Sequence, residues 1–143
     1  RQDPEGAYAA VMPKWFSALI NGKQTFINGD GETSRDFCYI DNCVQANLLA
    51  ATVSNEAATD QVYNVAFGQR TTLNELYQLI RERVATVHQE CIDKAPVYRD
   101  FRAGDVRHSL ADISKSEQLL GYKPEFSVRA GLDEAAKWYL ENS

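Results

Sequence analysis

The segment Gly29-Asp30-Gly31-Glu32-Thr33-Ser34-Arg35-Asp36-Phe37-Cys38-Tyr39-Ile40-Asp41-Asn42 constrains the fold more than any other stretch of the chain. Two glycines bracket Asp30 and permit a tight turn with positive φ, a conformation that residues bearing a Cβ resist. Gln24 to Asn28 reads as a short strand leading into that turn, and Phe37, Tyr39 and Ile40 restart an apolar, aromatic-rich run with the pattern of a second strand. Arg35 is therefore expected at a rigid strand edge. Held there, a guanidinium presents a planar fork of donors suited to a diphosphate. The plainer use of the same arginine is a surface ion pair with Asp30, Asp36 or Asp41.

Beyond this turn, helical and extended patterns alternate, which predicts an α/β fold of short strands with packed helices. Tyr8 to Leu19 reads as a helix with Val11, Trp15, Ala18 and Leu19 on one face, with Pro13 either kinking it or seated in its first turn. Asp41 is the expected N-cap of a helix reaching about Val53, Ser54 to Asp60 is a polar loop, and Val62 to Ala66 a short buried strand. Thr72 and Glu75 form a capping-box pattern ahead of Leu73, Leu76, Ile80 and Val84, so a helix is expected from Leu73 to about Val87. Ser114-x-x-Glu117 opens a shorter helix that Gly121 ends and Pro124 keeps from resuming. The last helix runs from Val128 to Leu140 with Leu132, Ala135, Ala136 and Tyr139 as its apolar stripe, and Trp138 and Tyr139 read as core.

Composition narrows the function classes. The 143 residues are 44% hydrophobic, enough for one core, and are expected to form a single domain over residues 1–143. A net charge of −5 argues against nucleic acid as a partner, so any phosphate site depends on local charge, for which Arg35, Arg102, Arg107 and Lys14 are candidates. Three cysteines, Cys38, Cys43 and Cys91, with no Cys-x-x-Cys pair, fit a reducing compartment and read as small hydrophobes; with His88 and His108 as the imidazoles, no metal site is expected. No stretch approaches the roughly 18 apolar residues of a membrane span and no apolar leader follows Arg1, so the expectation is a soluble, cytoplasmic protein with no membrane partner.

Two further groups carry chemistry. In Arg102-Ala103-Gly104-Asp105, Gly104 permits a turn that brings together a phosphate donor, Arg102, and an acceptor for sugar hydroxyls, Asp105; an ordinary turn with a self-paired arginine and aspartate has the same sequence. Ala10, Val11, Lys14 and Trp15 lie one helical turn apart and make a face that can rest against a base and ribose while Lys14 adds positive charge. Ordinary packing of Val11 and Trp15 is compatible with the same spacing. Phe26 and Asn28 point to one side of their strand.

Gly-Asp-Gly-x-x-x-Arg-Asp-Phe-x-Tyr-Ile-Asp resembles the signature of the extended short-chain dehydrogenase/reductases, the nucleotide-sugar epimerases and dehydratases. The likeness runs from Arg1-Gln2-Asp3-Pro4 and Ala7 to Trp15, through Val62-Tyr63-Asn64-Val65-Ala66 and Thr71 to Leu76, to Phe101-Arg102-Ala103-Gly104-Asp105-Val106-Arg107-His108, in the family's order. It implies that Arg35 binds a substrate diphosphate, that Arg102 binds phosphate and Asp105 ribose, that Ala10, Val11, Lys14 and Trp15 line a UDP pocket, and that Phe26 and Asn28 meet the uracil. Some relatives carry tyrosine where Phe26 stands, so a hydroxyl contact is lost there.

The family's other half is not in this sequence. Gly29 and Gly31 lead into a strand rather than opening a helix, so they do not form a dinucleotide-binding loop, and none of the seven tyrosines has a lysine four residues on. The resemblance therefore implies the C-terminal, substrate-binding region of an NAD-dependent enzyme, most like UDP-N-acetylglucosamine 4-epimerase. NAD and every catalytic residue are then expected in an N-terminal Rossmann half that partners this chain, with no cofactor here, and the intact enzyme is expected to be a homodimer. Sister dehydratases and decarboxylases share the same anchors, and a non-catalytic nucleotide-binding module is the alternative of a different class.

Overall fold

A computed structural model describes residues 10–142. In chain order its elements are α1 (Val11–Ile20), β1 (Phe26–Asn28), β2 (Ser34–Arg35), α2 (Ile40–Thr52), β3 (Thr71–Thr72), α3 (Leu73–Val84), β4 (Val97–Arg99), α4 (Ser114–Leu120) and α5 (Val128–Glu141). The short strands and five helices are the expected α/β mixture. They fall into two compact units, one holding the residues up to Thr33 with Thr72–Arg107 and those from Leu132, the other holding Ser34–Thr71 and His108–Gly131.

In the first unit α1 packs on α3. Trp15, Phe16 and Leu19 from α1 meet Leu76, Tyr77, Leu79, Ile80 and Val84 from α3 in a core that also takes Cys91, Leu132 and Ala136. The spacings are those of one apolar face on each helix. Trp15 meets Tyr77 edge-on at 5.5 Å, and Phe16 stacks on Tyr139 at 4.3 Å. β1 pairs in parallel with β4 in the register Phe26↔Val97, Ile27↔Tyr98 and Asn28↔Arg99. Ile27 turns into the core at 1% exposure, while Phe26 and Asn28 face outward as the alternation predicts.

α3 begins with both hydrogen bonds of its capping box: the Thr72 hydroxyl accepts from the Glu75 N–H, and the Glu75 carboxylate accepts from the Thr72 N–H. Pro13 sits in the first turn of α1, where its missing N–H costs nothing. The expected start at Tyr8 and the resembling stretch from Arg1 to Ala9 lie outside the described residues.

The second unit corrects three expectations. The strand anticipated at Phe37–Ile40 lies earlier, at Ser34–Arg35, and α2 already begins at Ile40. Asp41 is consequently not the N-cap; Tyr39 holds that position without a side-chain capping bond, and Asp41 instead complements the helix dipole from the first turn. Val62–Ala66 is not a strand, and Val62 is 87% exposed. Side chains take its carbonyls in place of a ladder: Ser116 Oγ donates to the Asn64 carbonyl at 3.0 Å and Tyr122 Oη to that of Ala66 at 2.8 Å. Burial of Tyr122 pushes its phenol well above the usual range, so the group remains a donor.

Asn42 organises this unit. It is 1% exposed; its amide nitrogen donates to the Phe126 carbonyl at 2.8 Å, and its oxygen accepts from the N–H groups of Glu125 and Phe126 at 3.0 Å each. The polar loop at 54–60 contains a single 3-10 turn, Glu56–Ala58, capped by the Asn55 side chain. α4 opens at Ser114 as expected, but its first donors are met by Asp112, which accepts from the Ser114 N–H and hydroxyl. Among the described residues no helix is long and apolar enough to cross a membrane.

Candidate functional site

The glycine turn after β1 is built as its sequence requires. Gly29 and Gly31 have φ of +78° and +80°, and a Cβ on Gly31 would overlap the Asn74 amide. Asn74, at the start of α3, fastens the turn from three sides: its N–H donates to the Gly31 carbonyl at 3.0 Å, and its amide nitrogen to the Asp30 carbonyl at 3.1 Å and to Glu32 at 2.8 Å. Tyr98 Oη on β4 in turn donates to Asn74 Oδ1 at 2.9 Å. The Gly29 N–H continues the β1–β4 pairing by donating to the Arg99 carbonyl at 2.8 Å.

Asp30 at the tip accepts from the Glu32 N–H at 3.0 Å and from Arg107 at 2.7 Å. The Arg107 guanidinium is the larger cause of a carboxyl held below the usual range. Arg107 follows the second motif closely. There the Asp105 N–H donates to the Arg102 carbonyl at 3.2 Å, and Gly104, at φ +76°, occupies the left-handed third position of the turn. Arg102 and Asp105 thus flank one turn and are both exposed.

Of the helical face, Ala10 and Lys14 are exposed and Val11 half-buried. Trp15 is 4% exposed and its indole N–H donates to the Phe26 carbonyl at 3.1 Å, which holds β1 against α1. Phe26 and Asn28 share the outer face of β1. Arg35 belongs to the second unit, half-buried in β2, with one guanidinium nitrogen donating to the Ser34 carbonyl at 2.8 Å. Its neighbour Asp36 is committed to backbone, accepting from the N–H groups of Phe67 at 3.1 Å and Gly68 at 3.0 Å.

Sequence reasoning missed β4. Val97-Tyr98-Arg99 is too short to register as a strand, yet with Gly29, Asp30, Asp100 and Phe101 its Tyr98 and Arg99 line an open cavity of about 430 Å³. Arg99 lies over the Phe26 ring, 3.2 Å from its centroid. The glycine turn joins β1 to β2 and opens no helix, so this turn is not a dinucleotide-binding loop.

Residues 2–135 match the family described as GDP-mannose 4,6 dehydratase. The chain belongs to that family. It is thereby an extended short-chain dehydrogenase/reductase of the nucleotide-sugar epimerase and dehydratase group, and its residues correspond to the substrate-binding region. A crystal structure of UDP-glucose 4-epimerase with UDP-glucose from Thermotoga maritima is 36% identical, with a TM-score of 0.85 over 99% of this chain and 42% of its own. A UDP-N-acetylglucosamine 4-epimerase from Methanobrevibacter ruminantium, in complex with UDP-N-acetylmuramic acid, is also 36% identical, with a TM-score of 0.81 over 100% of this chain and 43% of its own. The UDP-glucose 4-epimerase of Mycolicibacterium smegmatis is 30% identical over 100% of this chain and 42% of its own length. The chain thus spans less than half of the relatives it matches.

Proposed function

We propose that residues 1–143 form one nucleotide-sugar-binding domain of an NAD-dependent UDP-N-acetylhexosamine 4-epimerase, and that this domain anchors UDP while the chemistry occurs elsewhere in the intact protein. The observation that carries the reading is the tie between the two motifs: Arg107, two residues after the Arg102–Asp105 turn, is bonded to Asp30 of the glycine turn. Arg102 binds phosphate and Asp105 the ribose; Phe26 and Asn28 form the strand face of the base site, with Ala10, Val11 and Lys14 beside it and Trp15 fixing the strand. Arg35 is a diphosphate ligand.

Anchoring a part of the substrate that does not react lets remote binding energy position the part that does. A sugar held only through its diphosphate remains free to turn. NAD and the catalytic residues belong to a dinucleotide-binding half outside this chain. Support for such a partner comes from α2, where Ile40, Val44 and Leu48, spaced as one stripe, are 61%, 47% and 62% exposed. We place the assembled enzyme in the cytoplasm as a homodimer.

Turnover tests this reading. The polypeptide joined to its dinucleotide-binding half should interconvert UDP-N-acetylglucosamine and UDP-N-acetylgalactosamine with NAD, and the 143-residue chain alone should not; turnover by the chain alone would overturn the division of labour. A second reading, a dehydratase, is favoured by the family's own description. It predicts a 4-keto-6-deoxy product from the same assay in place of an epimer.

A further inference from the structure

We propose that Arg99 is the surface on which the nucleotide base stacks, and that it distinguishes base-bearing ligands from base-less diphosphates. The inference rests on the nucleotide-sugar reading above and adds a residue that the sequence motifs do not contain.

The parallel register sets Arg99 opposite Asn28, and its side chain reaches back over the neighbouring outward residue, Phe26. At 3.2 Å from guanidinium carbon to ring centroid the contact is already closer than ordinary carbon–carbon contact, about 3.5 to 4.0 Å; an edge-on guanidinium would drive its nitrogens into the ring at that distance, so the group lies flat and no base enters between them. That face of Phe26 is covered. The next flat group outward is the guanidinium itself, on an exposed residue that lines the 430 Å³ cavity with Gly29, Asp30, Tyr98, Asp100 and Phe101.

Guanidinium planes stack on nucleobases as aromatic rings do. The phenyl ring beneath attracts the cation and fixes its plane, so little side-chain freedom remains to be lost when a base arrives. Asn28, outward on the adjacent strand, carries both donors and an acceptor for a base edge. A lysine would keep the charge and lose the plane. Because every base offers a π-face, Arg99 gives affinity for the base and leaves the choice among bases to edge contacts.

The test is calorimetric titration of UDP and of ribose 5-diphosphate, which lacks the base, onto the intact protein and its Arg99→Ala and Arg99→Lys variants. Both variants should bind UDP about tenfold more weakly and ribose 5-diphosphate within about twofold of wild type. Should Arg99→Ala fail to fold, Arg99→Lys keeps an aliphatic stem over Phe26 and carries the test. Recovery of UDP binding by Arg99→Lys would reduce the role to charge and overturn the proposal. So would tighter UDP binding by Arg99→Ala, which would show the guanidinium occupying the base's place, or equal loss of both ligands, which would make it a phosphate ligand. Unchanged binding of UDP by both variants overturns this proposal alone, whereas wild-type protein that binds neither ligand overturns it together with the nucleotide-sugar reading.

Discussion

Arg107 donates to the Asp30 carboxylate at 2.7 Å and so fastens the chain beyond the Arg102–Asp105 turn to the tip of the glycine turn. Sequence reasoning offered Asp30 as a partner for Arg35 and Arg107 as a source of local positive charge for a phosphate. The structure uses them on each other, about half-exposed on both sides. Such a pair contributes little by itself to stability, so its effect is expected in the placement of the two loops.

The pH dependence of that link has a definite sign. In the folded chain the Asp30 carboxyl lies below its ordinary value, so its contribution is complete above the unfolded carboxylate range, about 3.9, and disappears as pH falls through the folded value. Asp30→Asn should lower the thermal unfolding midpoint slightly at neutral pH, with the difference from wild type shrinking in acid. Midpoints measured at pH 7 and below pH 4 check this; a gap that widens in acid contradicts it.

At the second turn, phosphate and ribose recognition separate. Asp105→Asn should impair binding of UDP more than binding of 2′,3′-dideoxy-UDP, which offers the carboxylate no hydroxyl donors. Arg102→Gln should weaken both ligands alike, since both keep the diphosphate. Equal losses in Asp105→Asn would make Asp105 a structural residue of the turn.

Asn42 gives the largest effect on folding. Asn42→Ala removes three hydrogen bonds of a buried side chain and leaves backbone groups of Glu125 and Phe126 without that partner, a loss of about 2 to 4 kcal/mol. Urea unfolding should show it, with Asn47→Ala as an exposed control on the same helix within about 0.5 kcal/mol of wild type.

What the sequence disclosed and what it hid have a common physical cause. Thr72 and Glu75 act on each other three residues apart, and Gly29 and Gly31 bend the chain where they stand, so local chemistry revealed α3 and the turn. The start of α2 was misplaced by two residues, Asp41 for Tyr39, because an acidic residue suits both the cap and the first turn. Val62–Ala66 is a short, mostly apolar run that reads as a buried strand, but Ser116 and Tyr122, distant in sequence, claim its carbonyls. Of the proposed site residues, Arg35, Arg102 and Asp105 stand in motifs that the family resemblance picks out. Arg99 was not, because its place over Phe26 depends on the register of two strands far apart in the chain.

The central claim is that this chain anchors a nucleotide diphosphate, and calorimetric titration of UDP onto the intact protein and its Arg35→Ala variant tests it most directly. Arg35 is half-buried at the edge of a two-residue strand, so its loss should leave unfolding nearly unchanged. The account predicts saturable binding of UDP by wild type and a weakening of about 1.5 to 3 kcal/mol in the variant, the scale of a lost charge-assisted hydrogen bond. Equal affinities would remove Arg35 from the site, and the absence of UDP binding by wild type would contradict the account as a whole.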